Sequence, residues 1–358
     1  MKVNRIIEMT GLIPMCIILI TVFVASPVRS ESSSQLKEET YGNTRICALK
    51  DNKKAAYTFT TDDGMYAAVK YYNEDFKRLN LRGSMALIAG KLNGLDENFK
   101  TIISEGHFDV TNHSMTHPKF AEISNRETLE NEINGSQTLL QTKFSGQDVI
   151  TMVNPYGSNS ELAESIIEQH HFAARNGGGG YNYLNPTDYE WFHLKLISTY
   201  NYGLSQPYNA EYLNSCLNTA LLHSNWIIIM AHGIGNDQNS IPKEDITKHF
   251  DYLASKLDSV WCGTFNEVTK YIREKQHAVL KINKGKSSGI IIKLTHDLNS
   301  NIFNFPLTLK TIVPANWKIG SIEQNGLSKK VLTKFENGYN YIVYEAIPNA
   351  GDIKLSKF

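Results

Sequence analysis

Two histidines four residues apart, in the stretch Thr111-Asn112-His113-Ser114-Met115-Thr116-His117, are the side chains whose type and spacing best suit chemistry. The spacing predicts one helical turn, which points both imidazoles at one centre. Neutral imidazole is the commonest protein ligand for zinc, and three protein ligands beside an open position mark a catalytic site. Upstream, Thr60-Thr61-Asp62-Asp63-Gly64 ends another apolar run with two adjacent carboxylates. The two clusters together supply enough groups for a metal and a base. Position 114 is serine, so the glutamate that a zinc peptidase places after its first histidine is absent.

The elements that must carry these residues alternate in type. Apolar runs at 55–61, 83–89, 108–110, 149–153, 172–175, 193–198, 226–231 and 260–262 read as strands. Between them, helical spacing is found for Met65, Ala68, Val69, Tyr72, Phe76 and Leu79, and over 95–105, 124–143, 159–170, 209–223, 243–256 and 265–275. Seven or eight βα repeats predict a parallel (β/α) barrel, whose active site lies at the C-terminal ends of the strands. Asp62 and Asp63, His113 and His117, Asn154-Pro155-Tyr156-Gly157 and His232 all follow such strand ends. From 278 onward the pattern changes to short alternating runs at 290–295, 307–313, 330–335, 339–345 and 353–357. Asn337-Gly338 between two of them is a strong hairpin signal, and residues 278–358 are expected to form a small β-sandwich. Carbohydrate binding and a structural role are both open for that module.

The ends of the chain set its setting. Lys2 and Arg5 precede an apolar run of about fourteen residues from Leu12, shorter than the ~20 of a membrane span and suited to a secretory signal peptide over 1–30. Residues 31–51 are polar and begin Ser-rich, which reads as a linker; 52–277 would hold the barrel. A secreted or cell-surface protein with no stable membrane span after cleavage is the expectation. Removing Lys2, Arg5, Arg29 and Glu8 with the signal leaves two more acidic than basic side chains. No basic stripe exists to bind nucleic acid. Cys47, Cys216 and Cys262 are too few for a disulfide framework.

Across 52–276 these segments resemble the polysaccharide deacetylases of carbohydrate esterase family 4, the NodB-homology fold. TTDDG at 60–64 is similar to the family's TFDDG, NHSMTH at 112–117 to NH(S/T)xxH, NPYG at 154–157 to the end of RPPYG, and IIIMAHG at 227–233 to a late apolar strand ending in LxH. The resemblance implies a divalent metal, zinc first and cobalt, nickel or iron as alternatives, on Asp63, His113 and His117. It implies Asp62 as base towards a metal-bound water, a backbone N–H of Tyr156 at the oxyanion, and His232 as acid. The substrate implied is an acetylated polysaccharide or oligosaccharide, deacetylated at nitrogen or oxygen.

Two features are this chain's own. The family's arginine before the Pro-Pro step aligns with Val153, and Arg175, ending the next strand, is positioned to supply the missing cation to Asp62. Asn176-Gly177-Gly178-Gly179-Gly180, continuing to Pro186, reads as a flexible loop on the active face, with Tyr181, Tyr183 and Trp191 able to stack on sugar rings. The lost arginine also favours an alternative, a non-catalytic glycan-binding protein on the same scaffold.

Overall fold

A computed structural model describes residues 41–235, 239–284 and 289–358. The expected signal peptide and the first part of the expected linker lie outside them. The rest of that linker is structured: β1 (Thr44–Ile46) pairs antiparallel with a strand of the C-terminal module. Alternate burial and the Thr44 hydroxyl, bonded at 2.9 Å to Thr311, fix it there.

The barrel begins at β2 (Ala55–Thr61) and continues through β3 (Gly83–Leu87), β4 (Phe108–Asn112), β5 (Thr151–Val153), β6 (Ala173–Gly179) and β7 (Leu194–Ser198). A hairpin of β8 (Tyr200–Asn201) and β9 (Gln206–Pro207) precedes β10 (Trp226–Ala231). β10 pairs in parallel with β2 from Trp226↔Ala56 to Ala231↔Thr61, closing a ring of seven strands. β11 (Val260–Cys262) is a spur on β2: it takes Ala55 to Tyr57, and β3 takes Phe59 to Thr61.

Around the ring run α1 (Tyr66–Leu79), α2 (Asp96–Ser104), α3 (Arg126–Glu130), α4 (Ser136–Lys143), α5 (Glu161–His170), the one-turn α6 (Asp188–Trp191), α7 (Ala210–His223), α8 (Lys243–Ala254) and α9 (Phe265–His277). The single helix expected over 124–143 is interrupted by a π turn at Asn131–Gly135. Period-two alternation on β2 decides which side chains serve the core and which the site. Tyr57 and Phe59 pack outward with Tyr72, Phe76 and Phe250 from α1 and α8, the rings meeting edge-on at 4.9–5.5 Å around Phe59. Burial of each such side chain contributes roughly 1.5–3 kcal/mol. Thr58, Thr60 and then Asp62 fall on the opposite face, where Thr58 receives Trp226 Nε1–H and Thr60 receives Arg175.

The C-terminal region holds β12 (Val279–Lys284), β13 (Ile290–Thr295), β14 (Leu307–Ile312), β15 (Ile319–Gln324), β16 (Leu327–Leu332), β17 (Lys334–Glu336), β18 (Tyr339–Ala346) and β19 (Ile353–Lys357). They form antiparallel sheets in the orders β1-β14-β18-β17 and β12-β13-β19-β15-β16. Ile290, Ile292 and Leu294 from one sheet and Leu307, Leu309 and Ile342 from the other are buried in a common core, the arrangement of a sandwich. The strand expected over 330–335 is in fact two, because the chain leaves one sheet after Leu332 and enters the other at Lys334. Asn337 (φ +52°) and Gly338 (φ +85°) make the tight hairpin between β17 and β18. This core is continuous with the barrel, as Trp261, Tyr271 and Phe305 pack together across the junction.

Candidate active site and metal centre

β2 ends at Thr61, and the chain then turns through Asp63 (φ +66°) and Gly64 (φ +60°) into α1. The residue preceding α1 is Met65, with no side-chain cap, so neither carboxylate is spent on the helix end. From β4 the chain passes through His113, then Ser114 (φ +66°) and His117 (φ +69°). The helical turn expected for this pair does not form. Two left-handed residues and a short bend bring the imidazoles together instead. The bend is tied down by His117 N–H to Ser114 Oγ (2.9 Å) and by Thr116, whose N–H and hydroxyl both reach the buried carboxylate of Glu132 (2.8 and 2.6 Å). Glu132 lies in the π turn, which gives that interruption a physical task.

The result is a triangle of donors. His113 Nε2 and His117 Nε2 are 3.1 Å apart, and Asp63 Oδ1 lies 3.4 and 3.3 Å from them. An ion held at about 2.0–2.2 Å in tetrahedral geometry needs donors about 3.3–3.6 Å apart. The two carboxylate edges meet this and the His–His edge is about 0.2 Å short, so the set fits a divalent metal with a small opening of that edge. Asp63 Oδ1 is buried and meets only the two imidazole nitrogens, at contact distances longer than ordinary hydrogen bonds, as a ligand oxygen would. His113 is oriented from behind, its Nδ1 lying 2.8 Å from the carbonyl of Val153, which leaves Nε2 as the ligating atom. Burial raises the Asp63 pKa, but the close imidazole of His113 and, beyond it, His232 and His117 outweigh it and hold the carboxyl at about 2. Burial, then the neighbouring His113, lowers His117 to about 4, so it is a neutral donor at neutral pH.

Asp62 is 4 % exposed and its carboxylate is in contact with Nη2 of Arg175, itself 3 % exposed. The same Nη2 donates to Thr60 Oγ1 at 3.0 Å. The guanidinium therefore points into the pocket. His232 presents Nε2 at 3.9 Å from Asp63 Oδ2, while its Nδ1 is 3.2 Å from the hydroxyl of Tyr202. Tyr156, left-handed at φ +57°, rests its ring against His117 with centroids 4.6 Å apart and is largely exposed. Asp62, Arg175, His232, Tyr202 and Tyr156 line one cavity of about 1100 Å³ with the donor triangle and Tyr181.

Two expectations are corrected. Trp191 is fully buried: its N–H is bonded to Gln276 at 3.1 Å, Arg273 lies over its ring, and it does not line the cavity. It is a core residue between α6 and α9, out of reach of any sugar. The glycine run is not a loop at its start, since β6 extends to Gly179, and Gly177, Gly179 and Gly180 form part of the cavity wall. Tyr183 is exposed but lies outside the cavity lining. Sequence reasoning missed Tyr202, Thr60 and the Val153 carbonyl. Tyr202 follows the C-terminal end of β7, where the barrel rule would have sought it.

The sequence model of the family described as "Polysaccharide deacetylase" matches residues 49–174. A curated gellan lyase of a Bacillus species is 22 % identical over 342 residues, which cover 88 % of this chain and 13 % of that protein. The chain thus spans about an eighth of the length of this relative. Among solved structures, a putative polysaccharide deacetylase of Mycobacterium smegmatis superposes with a TM-score of 0.49 at 12 % identity, covering 69 % of this chain and all of that one. The peptidoglycan deacetylase PdaC of Bacillus subtilis gives 0.44 at 15 %, covering 64 % and 95 %. A pseudoenzyme of carbohydrate esterase family 4 from Bacillus anthracis gives 0.44 at 16 %, covering 61 % and 66 %. The family model lies across the strands that carry Asp62, Asp63, His113 and His117, so the segment 49–174 that holds them is a polysaccharide deacetylase domain by its sequence.

Proposed function

We propose that this chain is a secreted, metal-dependent deacetylase that hydrolyses acetyl groups on a glycan. The observation that carries the reading is the donor triangle of Asp63, His113 and His117 beside a carboxylate clamped by a buried arginine. Asp63, His113 and His117 would hold a divalent cation, which would supply Lewis acidity for water activation at neutral pH and for polarising the acyl group. Asp62, held by Arg175, takes the proton of the attacking water. The Tyr156 backbone N–H faces the developing oxyanion. His232 gives a proton to the leaving nitrogen or oxygen through Nε2. Tyr156 and Tyr181 border the glycan.

The rival reading, a glycan binder without turnover, drew its support from valine at 153. Arg175 beside Asp62 removes that support. The test is acetate release from a panel of N- and O-acetylated glycans by protein loaded in turn with zinc, cobalt, nickel or iron, against chelator-treated protein. Release that needs metal supports the proposal. No release from any substrate with any metal, while glycan binding persists, selects the binder.

A further inference from the structure

We propose that Tyr202 is a positioning residue for the acid His232, accepting the Nδ1–H of the imidazole and so committing Nε2 to the proton transfer. The inference rests on the deacetylase reading of the site. A histidine on the rim of a cavity has two ring nitrogens and two neutral tautomers, and the partner of one nitrogen decides what the other does. Here the Tyr202 hydroxyl stands 3.2 Å from Nδ1, while Nε2 faces the carboxylate of the metal-ligand residue Asp63 at 3.9 Å. No carboxylate forms an ion pair with Nδ1 among the described residues. Among the described residues the phenol is the partner recorded for Nδ1.

How Tyr202 is held supports a positioning role over incidental contact. Residues 200–207 form a hairpin immediately after β7, with Tyr200↔Pro207 and Asn201↔Gln206 paired. Its base is locked to the barrel by Thr199 N–H to the Met230 carbonyl (2.8 Å) and Tyr208 N–H to the Thr199 carbonyl (2.9 Å). Met230 is two residues before His232, so hairpin and histidine ride on one ladder. The turn is closed by Leu204 N–H to Asn201 Oδ1 (3.1 Å), and the Tyr200 ring meets that of Tyr202 edge-on at 5.3 Å. The phenol oxygen has lone pairs free to accept from His232, and its own O–H can turn to another acceptor.

The proton balance follows. Protonated His232 carries hydrogen on both nitrogens; Nε2–H goes to the leaving atom as its bond to the acyl carbon breaks, and Nδ1–H stays on Tyr202. Asp62 has meanwhile taken one proton from water, and its release to solvent as His232 regains one resets the site. Tyr202 neither gains nor loses a proton, and the ring returns as the Nδ1–H tautomer.

The test pairs substrates by leaving group. An oligomer of N-acetylglucosamine needs its leaving amine protonated, whereas the leaving group of 4-nitrophenyl acetate departs without help. With metal-loaded protein, Tyr202→Phe should lower the ratio of oligomer to aryl-ester turnover by about 10–50-fold, through kcat with KM little changed. In a His232→Ala background the same change should add less than about two-fold. An equal fall with both substrates, an effect on KM alone, or full additivity with His232→Ala would overturn the assignment. If the wild-type protein releases no acetate from any substrate, the deacetylase reading fails, and nitrogen-15 NMR of the imidazoles then decides the contact itself. A neutral His232 protonated on Nδ1 in wild type but not in Tyr202→Phe upholds it; an Nε2–H tautomer in wild type overturns it.

Discussion

Replacing Arg175 by methionine removes the guanidinium that meets Asp62 while keeping an unbranched, uncharged stem. Both side chains of the pair are almost wholly buried, at 3 % and 6 % exposure. Breaking a buried ion pair from one side costs about 3–5 kcal/mol, because the remaining charge has neither water nor partner. Part of that cost appears as stability and part as a misplaced base, for which we expect kcat to fall about 10²–10³-fold. Metal content should hold, since Arg175 is bonded to Thr60 and Asp62 and not to Asp63, His113 or His117. The assay is acetate release with metal measured by atomic emission, joined to a double-mutant cycle with Asp62→Asn read by urea unfolding. Each single substitution strands a buried group, so the pair should show a coupling of about 2–3 kcal/mol. An Arg175→Met protein within about three-fold of wild-type kcat, or two single effects that simply add, would refute the clamp.

Other consequences are simpler to measure. His113→Ala removes one corner of the donor triangle, and metal and activity should be lost together; a fully metallated variant would sink the ligand assignment. Asp62→Asn should abolish turnover, falling at least about 10²-fold, with metal retained. His249, bonded to Tyr57 (3.0 Å) and Asn214 (2.8 Å), and His171, beside Asn112 (3.0 Å), are both lowered to about 3 by burial. The unfolded chain binds these protons first, so stability is full above about pH 6.5 and falls as pH drops towards 3. At pH 5 the loss should be about 2 kcal/mol for each residue, checked by urea midpoints at pH 7 and 5. Gly179 has ordinary φ, and a Cβ there meets no atom within 4 Å. Gly179→Leu should therefore melt within a few degrees of wild type yet release acetate from a polymer at least about ten-fold more slowly, because the new side chain occupies the cavity wall.

The barrel was legible because its strands are buried on both faces and end in polar clusters. Residues 55–61, 226–231 and 260–262 emerge as strands with the bounds their apolar runs predict. What periodicity could not carry was conformation at single residues. Asp63, Ser114, His117 and Tyr156 all have positive φ, a cost that side chains other than glycine avoid unless the surroundings enforce it. Spacing alone therefore suggested a helical turn for His113 and His117, when the ladder end of β4 and the Glu132 tether make a bend. Trp191 failed for a related reason. An aromatic near a glycine run reads the same whether its ring faces sugar or a helix, and only packing against α9 separates them.

The arginine shows where a linear alignment loses a feature that the fold retains. In the parallel ladder between β5 and β6, the partner of Val153 is Arg175. A residue one strand over at the same level of the barrel starts its side chain only about 5 Å from where the aligned arginine would have stood. A guanidinium on a flexible stem easily makes up that distance, and here it reaches Asp62 and Thr60. Val153 meanwhile contributes through its backbone, its carbonyl orienting His113. The function of a site position can thus pass sideways across a sheet, because the requirement is a cation at one point in space and adjacent strands offer two equivalent places from which to supply it.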